Sequence, residues 1–253
     1  MLAMTHSTLR RQRLLPLLFA LALAGRACGG VAVGDTLTPA PPYVWQHPLP
    51  AVATASALAL GSGTLFVPTL QRANSLVREE VQLMRRSMMG HRLLQFDNGL
   101  QYVPVIAVVG LRLLGVQSQH EPTQLLLRAA SGIAVTTLIV QPLKYAINER
   151  RPSGVSDNSF PSGHTAFAFC GAELLRLEYG ANAAWVPATG FALAGLTAFM
   201  RIFNDRHWTG DVLAGAAIGV VAADLTDLLN RWLVDPHIEH AAPQHDDNEY
   251  LLQ

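Results

Sequence analysis

At 253 residues with a formal net charge of zero, the chain has the length of one domain and too little basic charge to track a nucleic-acid backbone. Half of its residues are hydrophobic and only 14% are charged, a balance that points to a membrane or to a tightly packed helical core. Two cysteines, Cys28 and Cys170, exclude a disulfide framework.

The chain opens as an export signal over residues 1–27. Arg10, Arg11 and Arg13 form a basic segment, and Leu14 to Leu23 form an apolar run too short to span a bilayer. Small residues follow, so cleavage is expected near Ala24 or Ala27. Cys28 raises lipidation as an alternative, although Arg26 beside it is unusual for that signal. Residues 28–50 carry five prolines and read as an irregular linker.

Apolar segments then recur at Ala51–Val67, Leu100–Val116, Leu125–Ile147, Thr165–Leu177, Ala183–Met200 and Val212–Leu233. Their lengths and their Ala/Leu content favour helices, so the fold class is all-α, a bundle of about five or six apolar helices. Residues 51–124 form the N-terminal helices and residues 125–234 the core. Between the first two segments, Gln71–Asp97 is polar with apolar residues at helical spacing, which predicts a surface or interfacial helix. Residues 235–253 form an acidic tail expected to be disordered.

Two environments compete for these helices. Tyr179–Met200 runs twenty-two residues without a formal charge, and Trp185, Trp208 and Trp232 fall near segment ends as interfacial anchors do. Gly215 and Gly219 form a small-xxx-small pair suited to close helix contact. Glu173, Arg176, Asp224 and Asp227 interrupt their segments, as they would in a soluble exported domain. The membrane reading places the chain in a bacterial inner membrane with its site facing the periplasm. Gly61, Gly63 and Pro68 weaken Ala51–Val67 as a span, which leaves five crossings and puts Ser118 on the inner side.

Three short motifs carry the chemistry. Seventeen arginines supply the basic charge and Lys144 is the single lysine, seven residues before Arg151-Pro152. Pro152 disfavours helical geometry at Arg151, so the chain leaves its helix near that step. Ammonium and guanidinium can then converge on one anion, or simply snorkel from a helix end. Pro161-Ser162-Gly163-His164 opens the next helix, where unpaired N–H groups and the Ser162 hydroxyl suit an anion; a capped helix with an incidental histidine is the plainer alternative. Arg201 precedes His207 by six residues, and His207 precedes Asp211 by four. An Asp211 carboxylate on one ring nitrogen would free the other to attack phosphorus; the alternative is that the pair caps the last helix. Ten specified residues in order favour the joint reading, and His164 and His207 are the only histidines between Glu121 and Pro236.

Lys144-x6-Arg151-Pro152, Pro161-Ser-Gly-His164 and Arg201-x5-His207-x3-Asp211 resemble the three signature motifs of the type-2 phosphatidic acid phosphatase superfamily. That superfamily also holds bacterial acid phosphatases and vanadium haloperoxidases. The resemblance covers Leu125 to about Leu233, with Met200 where many members have Ser. It implies a metal-independent phosphatase working through a phosphohistidine, with no cofactor. By it His207 is the nucleophile, Asp211 its orienting partner and His164 the acid for the leaving oxygen. Lys144, Arg151, Ser162, Gly163 and Arg201 would hold the phosphoryl oxygens.

The leading expectation is a phosphatase acting on a phosphorylated membrane lipid of the phosphatidate, undecaprenyl diphosphate or lipid A type. A soluble periplasmic acid phosphatase for small phosphomonoesters is the alternative. A haloperoxidase fits an export signal poorly, and a non-catalytic lipid-binding protein would need the cations but neither histidine. Nothing in the sequence codes for headgroup or oligomeric state.

Overall fold

A computed structural model describes residues 48–90 and 95–233, so the expected signal, most of the linker and the acidic tail lie outside the described residues. Eight helices and no strand occur among them. They are α1 (Pro48–Phe66), α2 (Pro68–Met89), α3 (Asp97–Leu100), α4 (Val103–Leu113), α5 (Pro122–Ile147), α6 (Gly163–Tyr179), α7 (Trp185–Phe203) and α8 (Thr209–Leu233). Six follow the apolar segments; α2 is the polar helix and α3 a single turn. The fold class is the all-α bundle that the periodicity implies.

Helix boundaries follow local chemistry. Proline at the first turn starts α5, and a capping box between Glu121 and Gln124 satisfies two of its free backbone donors. Asn148 ends it in the left-handed region (φ 51°), three residues before the exit expected from Pro152. Pro161 lies just outside α6, with Ser162 as the N-cap and Gly163 first in the helix. Tyr179–Met200 is not one span: α6 ends at Tyr179 and α7 begins at Trp185.

The bundle is centred on α6 and α8, which pack along each other. The Gly215–Gly219 pair is buried in that contact. A Cβ on Gly215 would lie 2.5 Å from the Ser162 carbonyl oxygen, and one on Gly219 would collide with the Ala166 carbonyl oxygen. Helix α1 covers another face of α8 and is continuous through Gly61, whose missing side chain admits the backbone of Gly210 and Ala214. Gly61 therefore serves a helix contact and breaks nothing. Helices α4 and α7 pack on α6, while α5 closes against α8 and α6.

Among the described residues three helices, α5, α7 and α8, are long and apolar enough to cross a membrane. Large apolar side chains line the bundle exterior, among them Ile106 (68% exposed), Leu138 (73%) and Leu228 (62%). An exposed apolar belt of that kind is what a lipid-embedded bundle presents. Of the charges that interrupt the segments, Glu173, Arg176 and Asp227 are paired inside. Arg128 donates to Asp227 at 2.5 Å and contacts the His120 Nε2 atom at 3.1 Å, Asp227 also binds Arg231, and Glu173 pairs with Arg176. Pairing lowers the cost of burying each charge, so these residues do not argue against a membrane setting. They sit at the far end of the bundle, Arg128 being sixteen residues from Lys144 along α5, or roughly 24 Å at 1.5 Å per residue.

Overpacking the α6–α8 contact should be costly. Gly219→Val is expected to destabilise by about 1–3 kcal/mol. Thermal unfolding in detergent checks this, with a midpoint lowered roughly 2–4 °C for each kcal/mol in a chain of this size.

Candidate active site

The three motifs meet at one end of the bundle, where the last turn of α5 and the first turns of α6 and α8 converge. Helix geometry places Lys144 one turn before the end of α5, and the loop 148–160 folds back over it. The Lys144 Nζ ammonium donates to the Asn158 carbonyl at 2.8 Å, and Arg151 Nε donates to the Asn158 side chain at 3.0 Å. The Ser159 N–H closes the loop on the Glu149 carbonyl at 2.8 Å.

His207 lies in the turn before α8, not on the helix itself. Its Nδ1 is 3.3 Å from Asp211 Oδ2, and its ring is almost wholly buried. The same Oδ2 accepts from the Trp208 N–H at 2.8 Å, so Asp211 caps the start of α8 while it holds the imidazole. It also accepts from the Ser159 hydroxyl at 2.5 Å. The capping and the histidine-orienting readings of Asp211 are therefore both true of one oxygen.

Arg201 ends α7 and reaches Asp97 on α3 at 2.6 Å; Asn204 donates to the other Asp97 oxygen at 3.2 Å. The His164 Nε2 atom lies 3.2 Å from the Asn98 amide oxygen. A cavity of about 300 Å³ opens here, lined by Gln95, Asp97, Asn98, Arg151, His164, Arg201, Asn204 and Arg206. Lys144, Arg151, Arg201 and His207 all lie close enough to act electrostatically on His164.

Of the expected site residues, Lys144, Arg151, His164, Arg201, His207 and Asp211 come together. Gly163 sits at the first position of α6, with the Lys144 stem 3.8 Å from where its Cβ would be. Ser162 departs from expectation. Its hydroxyl bonds Thr165 at 2.8 Å and is fully buried, while its N–H donates to the Asp211 carbonyl at 2.9 Å. It joins the two helix starts instead of offering a hydroxyl to an anion.

Residues absent from the motif reading complete the site. Asp97 and Asn98 come from a one-turn helix outside the core, and no spacing in the sequence ties them to Arg201 or His164. Ser159 adjoins the second motif and Glu149 the first, yet neither has a pattern that marks it. Helix α2 braces the whole. Arg78 binds Asp205 at 2.7 Å and lies over Trp208, 5.5 Å from the ring centroid, and Gln82 donates to the Ile202 carbonyl at 2.9 Å. Asp205 thus pairs across the bundle and not locally, and Trp208 belongs to the site, its indole N–H donating to the Arg150 carbonyl.

With that geometry in place, the chain can be compared with known proteins. Residues 125–232 match the PAP2 superfamily. Over 160 residues it is 36% identical to the lipid A 1-phosphatase of Porphyromonas gingivalis, a match covering 63% of this chain and 35% of that protein, so the chain spans little more than a third of that relative's length. The fold is similar to the crystal structure of the first transmembrane PAP2-type phosphatidylglycerolphosphate phosphatase from Bacillus subtilis. There the TM-score is 0.54 at 20% identity, covering 74% of this chain and 98% of that one. Aquifex aeolicus LpxE is also similar, with a TM-score of 0.43 at 22% identity over 58% of this chain and 93% of that one.

Electrostatics of the site bear on its histidines. Burial pushes the His207 imidazole down to about 4, although the Asp211 hydrogen bond and charge pull it up. The ring is neutral at physiological pH, as an attacking nitrogen must be. Burial, and then the charges of Arg201, His207, Arg151 and Lys144, push His164 down to about 3. A proton donor needs the opposite state. A bound phosphate dianion cancels the cations that depress His164, so anion binding should raise its pKa and load it with a proton.

The sign of that linkage is fixed: a pKa rising from about 3 on binding means net proton uptake, and tighter binding as pH falls. Isothermal titration with inorganic phosphate in two buffers of different ionisation enthalpy measures it. Uptake is expected in the wild-type protein and should shrink in His164→Asn. Equal uptake in the two proteins would remove His164 as the acceptor.

Proposed function

We propose that the protein is a metal-independent phosphatase that removes a terminal phosphate from a membrane lipid through a phosphohistidine on His207. One observation carries this reading. A neutral imidazole, held through Nδ1 by Asp211, sits in a cluster with Lys144, Arg151 and Arg201 beside a second histidine.

The chemistry follows from the positions. The free Nε2 of His207 attacks phosphorus, a N–P bond forms and the P–O bond to the lipid breaks. The departing oxygen takes its electron pair and a proton from His164. Asp211 balances the positive charge left on the phosphorylated ring. Water then attacks phosphorus, returns a proton to His164 and releases inorganic phosphate. Charge accumulating on the phosphoryl oxygens is met by the three cations and by the N–H groups at the start of α6. These fixed charges supply the stabilisation that a divalent ion supplies in metal-dependent phosphatases.

A lipid substrate is favoured over a small soluble ester by the apolar belt and the three spanning-length helices. Among lipids, the 36% identity to a lipid A 1-phosphatase makes a lipid A-type glycolipid phosphate the first candidate, with phosphatidate and undecaprenyl diphosphate as further members of the class. An export signal of the kind expected over residues 1–27 would put the site on the periplasmic face of the inner membrane.

Phosphate release by purified protein in detergent, with EDTA present, tests the reaction. Lipid A-type substrates should outperform a soluble aryl phosphate, whereas the reverse order would favour a soluble acid phosphatase. His207→Ala should abolish turnover with the fold intact, and residual activity above about a tenth of wild type would overturn the nucleophile assignment. Lys144→Arg should lose on the order of 10²-fold in kcat, because the larger fork does not fit a point-charge site. Orientation has its own check: a cysteine placed at Ser118 should react with an impermeant reagent from the cytoplasmic side, and labelling from outside would reverse the topology.

A further inference from the structure

We infer that Glu149 is a protonated positioning residue that holds Asp211 by its second oxygen, making the partner of His207 an acid–carboxylate pair in place of a lone aspartate. The inference deepens the phosphohistidine reading and rests on it for its kinetic consequence.

Its basis is an unbalanced set of hydrogen bonds. Asp211 Oδ2 receives three donors, from His207, Ser159 and Trp208. Asp211 Oδ1 is buried and has no ordinary donor among the described residues, and Glu149 Oε2 is in the same condition. The two carboxyl groups are in hydrogen-bond contact with each other. As two carboxylates they would repel, and two buried oxygens would stay unsatisfied. As an acid and a carboxylate, both oxygens are satisfied by one proton.

The surroundings decide where the proton resides. Three donors stabilise charge on Asp211. Glu149 faces a cavity of about 480 Å³ whose polar lining near it (Thr64, Gln71, Asn74, Ser75) is uncharged. Arg150 beside it points outward, and Lys144, Arg151 and Arg201 are turned toward Asn158 and Asp97. Burial first, and then the charge of Asp211 and its hydrogen bond, push the Glu149 carboxyl up to about 9. The proton therefore sits on Glu149 across the physiological range.

Backbone geometry aims the side chain. The left-handed Asn148 turns the chain out of α5, and the Glu149 carbonyl accepts from the N–H of Ser159, whose hydroxyl binds Asp211. Held at both oxygens, the Asp211 carboxylate cannot rotate, and the imidazole it orients stays in line with the cradle.

Two variants and a spectrum test this on the purified full chain in detergent. Glu149→Met matches the side chain in size without a donor, and should lower kcat by about tenfold or more with KM little changed. Glu149→Gln restores an N–H donor and should recover most of that loss, which a packing role would not predict. Infrared difference spectra of wild type against Glu149→Gln near neutral pH should contain the carbonyl stretch of a protonated carboxylic acid. A Gln variant no better than Met, or the absence of that band, overturns the proposal. If the wild type turns over none of the phosphate esters, the phosphatase reading fails, and the infrared band alone decides the protonation of Glu149.

Discussion

One carboxylate oxygen organises this molecule. Asp211 Oδ2 accepts from a ring nitrogen, a backbone amide and a serine hydroxyl, and the Asp211 carbonyl accepts the N–H of Ser162. Through these bonds it fixes the start of α8, the start of α6 and the loop after α5 relative to His207. Each motif contributes a segment at a helix end, and the shared acceptor ties these segments together. The end of the bundle where the three motifs meet is assembled around a buried carboxylate.

That charge sits among cations that must be kept ready without an anion present. Arg201 leans on Asp97, Lys144 on the Asn158 carbonyl and Arg151 on the Asn158 amide. These partners limit the desolvation cost of concentrating positive charge where water is scarce. They also explain why both histidines are neutral: burial and like charge act together on each ring. An anion placed among these cations would oppose the second effect.

Support for this end of the bundle comes from outside residues 125–232. Helix α2 reaches the segment around His207 through Arg78, Asn74 and Gln82, and α3 supplies Asp97 and Asn98. The expected surface helix is present, but its buried face carries Asn74, Val77, Val81, Gln82 and Arg85, while Leu83 and Met84 are exposed. Asn74, Arg78 and Gln82 bracket the site, while Gln71, Arg72, Glu79, Arg86 and Ser87 remain exposed as on a surface helix. The opposite end of the bundle is stabilised separately by the Arg128–Asp227 pair and its neighbours.

The sequence alone determined the helices, the family resemblance and the six side chains that converge, because apolar periodicity and tight motif spacing are local properties. Lys144, as the single lysine, could be read as a point charge beside an arginine fork before any coordinate was known. Tertiary structure alone decided which partners those residues have. Asp97 meets Arg201 across 104 positions, Ser159 meets Asp211 across 52, and Glu149 faces Asp211 from another helix end. It also decided that the Ser162 hydroxyl turns to Thr165 and that Gly61 serves packing. The physical reason is one of range. Hydrophobic pattern and helix punctuation act over a few residues, whereas the pairing of buried charges depends on which helix ends the fold brings together.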